Sequence, residues 1–145
     1  MFLVDKVRQL CSITLGLHIQ ILDSPTGERM VRMPLVLITR KPGVSLTELL
    51  SMIRLVVADE LSSNDPHGAL IPDDIEVNVR EFGPLDISKY DVEILIVANE
   101  YPERRATLPA RTYMVRKKVA NLLPGGLLSW VWILLATGEW QEFQT

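Results

Sequence analysis

Val92-Glu93-Ile94-Leu95-Ile96-Val97-Ala98 is an almost unbroken apolar, β-branched run. Such a strand is covered on both faces and belongs in the middle of a sheet. The next segment is helical. Thr107 stands before Leu108-Pro109, where a proline is tolerated in the first helical turn, and Val115, Val119, Leu122 and Leu123 then mark one buried face. Pro124-Gly125-Gly126 stops that helix, and residues 130–136 form a second apolar strand. The stretch spells one β-α-β unit.

The same order occurs upstream. Residues 30–39 read as a strand closed by Lys41-Pro42-Gly43, and Ser45 with Glu48 forms a capping box that opens a helix. Leu46, Leu49, Leu50, Ile53, Val56, Val57 and Leu61 recur at helical spacing. After a polar loop over 62–72, Ile75, Val77 and Val79 alternate with Glu76, Asn78 and Arg80, the pattern of a half-buried strand that ends at Gly83-Pro84. Two tandem β-α-β units predict an α/β (α+β) domain. Right-handed crossovers place both helices on one face of a four-stranded sheet. The apolar content of the last two strands calls for a cover on the other face, and a homo-oligomer supplies one.

Residues 1–32 read as an extension to this domain, which itself covers 33–145. Phe2, Leu3, Val7, Leu10, Ile13 and Leu17 are spaced for a short amphipathic helix, and 18–39 read as a hairpin turning at Ser24-Pro25-Thr26-Gly27. Pro34 interrupts the second arm, which implies an edge position or a break there.

Composition narrows the function. With 48% apolar and 23% charged residues the chain is of the globular class. A net charge of −3 lacks the basic footprint of a general nucleic-acid binder. The lone Cys11 cannot form an internal disulfide, which fits a reducing, cytoplasmic setting. Charges interrupt the apolar start of the chain, and Pro124, Gly125 and Gly126 interrupt the apolar stretch 122–138, so neither a signal peptide nor a membrane span is expected. His18, His67 and Cys11 lack metal-ligand spacing, and no glycine-rich phosphate or dinucleotide loop occurs, so no metal or cofactor is expected.

Three short stretches carry a family likeness: Met33-Pro34-Leu35-Val36-Leu37-Ile38, Arg104-Arg105 before the second helix, and Ser129-Trp130-Val131-Trp132-Ile133 with Glu139-Trp140. Together they resemble the tautomerase superfamily, with its muconate isomerases and the macrophage migration inhibitory factors. The resemblance implies a homotrimer and a keto–enol isomerase acting on a small carboxylated substrate. It implies Pro34 as the general base, through a free N-terminal secondary amine, and Arg104 and Arg105 as the anion clamp. The sequence departs from that pattern in three places. Pro34 follows 33 residues, so its nitrogen is an amide; Glu76 stands where the isomerases carry a second carboxylate-binding arginine; and the glycine before Arg104 is absent. A non-catalytic trimeric scaffold or ligand-binding protein is the alternative.

Plainer roles exist for each of these residues. Pro34 fits an ordinary strand proline, and Arg104 and Arg105 fit solvated loop arginines with one of them paired to Glu103. Arg111, Arg116, Lys117 and Lys118 fit a solvated helix face. Trp130 and Trp132 fit core or subunit-interface packing.

Overall fold

A computed structural model describes residues 20–23, 29–32 and 34–137, with side chains from Pro34 onward. The expected helix over 2–17, the turn at Ser24–Gly27 and the tail at Glu139–Trp140 lie outside the described residues.

Strand β1 (Gln20–Asp23) pairs antiparallel with β2 (Arg29–Arg32), so that Gln20 faces Arg32 and Asp23 faces Arg29. The hairpin is present but its second arm is shorter than expected. Pro34 breaks the run, and a separate strand, β3 (Leu35–Arg40), starts at the next residue. Proline has no N–H to give to a ladder. The break, and not an edge position, is what Pro34 makes, because β3 is an inner strand.

The main sheet has four strands in the order β4 (Glu76–Glu81), β3, β5 (Val92–Asn99), β6 (Ser129–Ala136). Strand β3 is parallel to β4, and β5 is parallel to β6, whereas the two inner strands run antiparallel. Each parallel pair is joined by helix: α1 (Thr47–Leu61) in the first unit, and a short α2 (Pro102–Ala106) followed by α3 (Leu108–Leu122) in the second. The two tandem β-α-β units expected from the sequence are therefore present, and the apolar 92–98 run is an inner strand.

Alternation along the strands sorts the side chains. Val36 and Ile38 of β3, Ile94, Ile96 and Ala98 of β5 and Ile133 of β6 share one core with Leu49, Ile53, Val56 and Val57 of α1 and Val115 and Val119 of α3. Both helices thus cover one face. Burying each such aliphatic side chain stabilises by about 1.5–3 kcal/mol, and this face supplies the fold's main driving force. On the opposite face Leu35 and Val97 are buried with Leu37, Leu95 and Ala136 against them, but on β6 Trp132 is 59% and Leu134 45% exposed. Among the described residues, the cover expected over both faces of β6 is absent.

The helix starts correct the sequence reading. Helix α1 begins at Thr47 with Leu46 in the capping position and no side-chain cap, while the Ser45 hydroxyl lies 3.4 Å from that of Thr47. Leu46 is only 2% exposed. A cap contributes about 1 kcal/mol and a buried leucine up to about 3, so core burial of Leu46 outweighs the capping box. Thr107 does occupy the capping position of α3, but its hydroxyl donates to Glu103 O (2.8 Å) and accepts from Arg111 Nε (2.7 Å).

Candidate functional site

The sequence candidates converge on one end of the sheet. Leu35 is opposite both Glu76 on β4 and Val97 on β5, so Pro34, immediately before it, lies at the end where β4 begins and β5 finishes. Pro34 is buried, and its carbonyl accepts from the Glu76 N–H at 3.3 Å. The chain leaves β5 at Asn99 on that side, passes Glu100 and Tyr101, and enters α2, which holds both arginines. They therefore sit inside a separate short helix one turn ahead of α3, a helix that the sequence pattern did not reveal.

The two arginines have different surroundings. Arg104 is fully buried. Its Nε donates to Leu61 O (2.8 Å), Nη1 to Asn99 O (2.6 Å) and Nη2 to Gly68 O (3.1 Å), and its guanidinium lies 5.0 Å from the Tyr101 ring centroid. Burial pulls its pKa below the ordinary arginine value, yet an arginine remains a cation. A guanidinium spent on three backbone carbonyls is a staple between the end of α1, the 62–68 loop and the end of β5. It has no solvent face for an anion, and the solvated-loop role fails equally. Arg105 differs: its side chain is 65% exposed and pairs through Nε with the Glu100 carboxylate. Of the two, Arg105 alone has an exposed side chain.

Glu103 pairs with neither of them. Its carboxylate accepts from the Asn64 N–H (2.7 Å) and the Ser63 hydroxyl (2.9 Å), and meets Arg111 Nη2 at 3.3 Å. The backbone bond from Asn64, then the Ser63 bond, hold its pKa below the ordinary carboxylate value.

Arg111, read from sequence as part of a solvated basic face, is the residue that reading missed. Its Nη1 donates to Glu60 O (2.6 Å) and Ser62 O (2.8 Å). With Arg104 on Leu61 O, two arginines of the second β-α-β unit cap the last carbonyls of α1. The signal lay at the end of α1, which has no basic residue in its last turn and no glycine after it. Orphan carbonyls at such a terminus need donors from elsewhere. Lys118 also reaches back to Glu60 (2.6 Å), whereas Arg116 and Lys117 are exposed as expected.

Trp130 and Trp132 lie together on the sheet face away from the helices, their ring centroids 6.1 Å apart, and Tyr90 meets Trp130 edge-on. Trp132 also borders an open groove of about 450 Å³ between β6 and α3, lined by Leu108, Pro109, Thr112, Tyr113 and Arg116. Among the described residues, no cluster of three or more histidine, cysteine, aspartate or glutamate side chains could hold a metal, and no helix is long and apolar enough to cross a membrane.

No family model and no curated protein matches the chain. Among solved structures it is similar to the crystal structure of Leishmania major MIF2, at 13% identity and a TM-score of 0.45, over 74% of this chain and 94% of that one. The architecture rests on the strand order and register of this chain and not on that overlap.

Proposed function

We propose that this chain is a tautomerase-like protein that binds a small carboxylated keto–enol compound at the Pro34–Arg105 end of the sheet. It is an isomerase only in a form that begins at Pro34. One observation carries the reading: Pro34 immediately precedes β3 at the end of the sheet where β5 leads into Arg105. An N-terminal proline amine there could take a proton from carbon beside a carbonyl and return it elsewhere on the conjugated system. α-Amino groups titrate at about 7.7–8.0, and burial pushes them lower, so a neutral base would be present at physiological pH. Arg105 would hold the carboxylate and the developing enolate. Arg104 acts through the backbone it staples, as a positioning residue for Arg105.

In mid-chain the Pro34 nitrogen is an amide with no basic lone pair, so the long form binds without turning over. We also propose a homotrimer, supported by the exposed Trp132 and Leu134 on the sheet face that the helices leave open. The test is a comparison of the 145-residue chain with a form starting at Pro34, on phenylenolpyruvate and 2-hydroxymuconate. The short form should gain about 10²–10⁴-fold, the usual contribution of a general base. Equal activity in both forms would refute Pro34 as the base.

Glu76 favours a second reading, a non-catalytic scaffold. It places a carboxylate beside Leu35 at the same end, against an anionic ligand. Inactivity of both forms, with the assembly intact, selects it.

A further inference from the structure

Resting on the self-assembly just proposed, we infer that the loop between β4 and β5 is a docking knob. It presents Leu85 and Ile87 to the groove between β6 and α3 of a second copy of this chain.

The knob is an ordered loop holding apolar side chains in water. Leu85 is 93% exposed and Ile87 wholly so. The loop is not slack, because Asp86 accepts the Gly83 N–H through Oδ2 (2.6 Å) and returns its own N–H to Gly83 O (3.1 Å). Beyond Ile87, Ser88 donates to Glu93 (2.7 Å) and accepts from the Tyr90 N–H (3.1 Å). With the backbone already held, these two fully hydrated aliphatic side chains have only their rotamers to lose on docking, and they gain the transfer energy that the isolated chain leaves unrealised.

The groove has the complementary character. Tyr113 is 56% and Trp132 59% exposed, and Leu108 and Pro109 complete an apolar floor about 450 Å³ in extent. Arg116 stands at its rim, 6.0 Å from the Tyr113 ring centroid. Asp86, between the two aliphatic residues of the knob, is the matching charge. Aromatic pockets with an arginine at the edge are the usual seat of interface hot spots.

Knob and groove are separate patches of one copy. Asp86 and Ser88 line a hollow with Lys41 and Pro42 that shares no residue with the groove, and the loop then runs on to β5, where Ser88 meets Glu93. A contact between two different patches is heterologous, and a closed ring is its finite form. One repeated contact then covers the exposed apolar residues of both patches at once.

The test uses the full chain with Cys11→Ser, carrying Ile87→Cys and Tyr113→Cys together, oxidised under native conditions. The expected result is cross-linked species on a denaturing gel that stop at the ring size and are absent from either single-cysteine protein. Ile87→Asp, checked for native circular dichroism, should lower the mass in light scattering towards the 16.4 kDa of one chain. An oligomeric wild type that neither cross-links nor responds to Ile87→Asp overturns the inference and leaves the proposed assembly standing, with another occupant for the groove. A monomeric wild type overturns both.

Discussion

Replacing Arg104 with methionine keeps a flexible stem in the same space and removes three donors. Gly68 O keeps the Ser63 N–H (2.9 Å), but the carbonyls of Leu61, a buried residue, and of Asn99, partly so, lose this donor with little water to replace it. Each buried acceptor orphaned in this way costs about 1–3 kcal/mol. The substitution also relieves the desolvated cation, so the lower end applies, and the expected loss is about 2 kcal/mol over the two. For a domain of this length about 1 kcal/mol corresponds to about 3–4 °C, so the midpoint should fall by about 7 °C. Urea unfolding of wild type, Arg104→Met, Arg104→Lys and Arg105→Ala measures this directly. The lysine variant should fall between wild type and methionine, since one ammonium cannot span three divergent carbonyls. Arg105→Ala should change stability by less than about 0.5 kcal/mol, as exposed ion pairs do. A loss below about 1 kcal/mol for Arg104→Met, with carboxylate binding abolished, would refute the staple and restore Arg104 to the anion clamp.

Gly68→Ala should destabilise by about 1–3 kcal/mol in urea titrations, because a Cβ there would sit 2.7 Å from the Ser63 Cβ and 3.1 Å from the Tyr101 ring. Glu103 has its folded pKa lowered, so the stability it contributes is present above the ordinary value of 4.5 and is lost as pH falls towards the folded value. Melting curves of Glu103→Gln should accordingly converge on wild type in acid and fall below it near neutrality; curves separated by a constant gap would remove the linkage. In the form beginning at Pro34, Arg105→Ala should raise KM for a carboxylated substrate more than it lowers kcat, and steady-state kinetics reads this.

The fold was legible where the pattern has a period. Alternation over 75–79, the helical spacing from Leu46 to Leu61 and the apolar run over 92–98 each led to the right element. Their order as two β-α-β units predicts the sheet as found. Terminal positions were not legible, since Leu46 and Thr107 are governed by what they touch in three dimensions. Leu46 goes to the core, and the Thr107 hydroxyl goes to Glu103 and Arg111. The site was legible only in part. A pair of adjacent arginines gives no sign of which one turns inward. That is decided by the carbonyls at the end of α1, distant in sequence from both. The basic face of α3 misled for the same reason, as Arg111 is spent on a helix terminus in the other unit.

The charges near Pro34 connect the base to the anion site. Arg104 is consumed by backbone carbonyls, and Glu103 is answered by Arg111, Ser63 and Asn64. Other charges described at that end are Arg105 with Glu100, Glu76 across from Leu35, and Arg54, which donates to Ile75 O and lies 4.0 Å from Asp73. Arg105 is already engaged by Glu100, which competes with a carboxylated ligand while Pro34 is an amide. A free proline amine would add a cation whenever it is protonated, so exposing that nitrogen changes the electrostatics of the site as well as supplying the base. On the proposed function, carboxylate affinity should therefore rise in the form beginning at Pro34 and fall again as pH passes the amine's own pKa, at about 7.7–8.0 or lower. Catalysis needs the neutral amine and binding favours the charged one. Because one proton governs both, kcat/KM in the short form should rise with pH to a plateau through a single pKa while KM for the carboxylate rises over the same range; a bell would require a second titrating group.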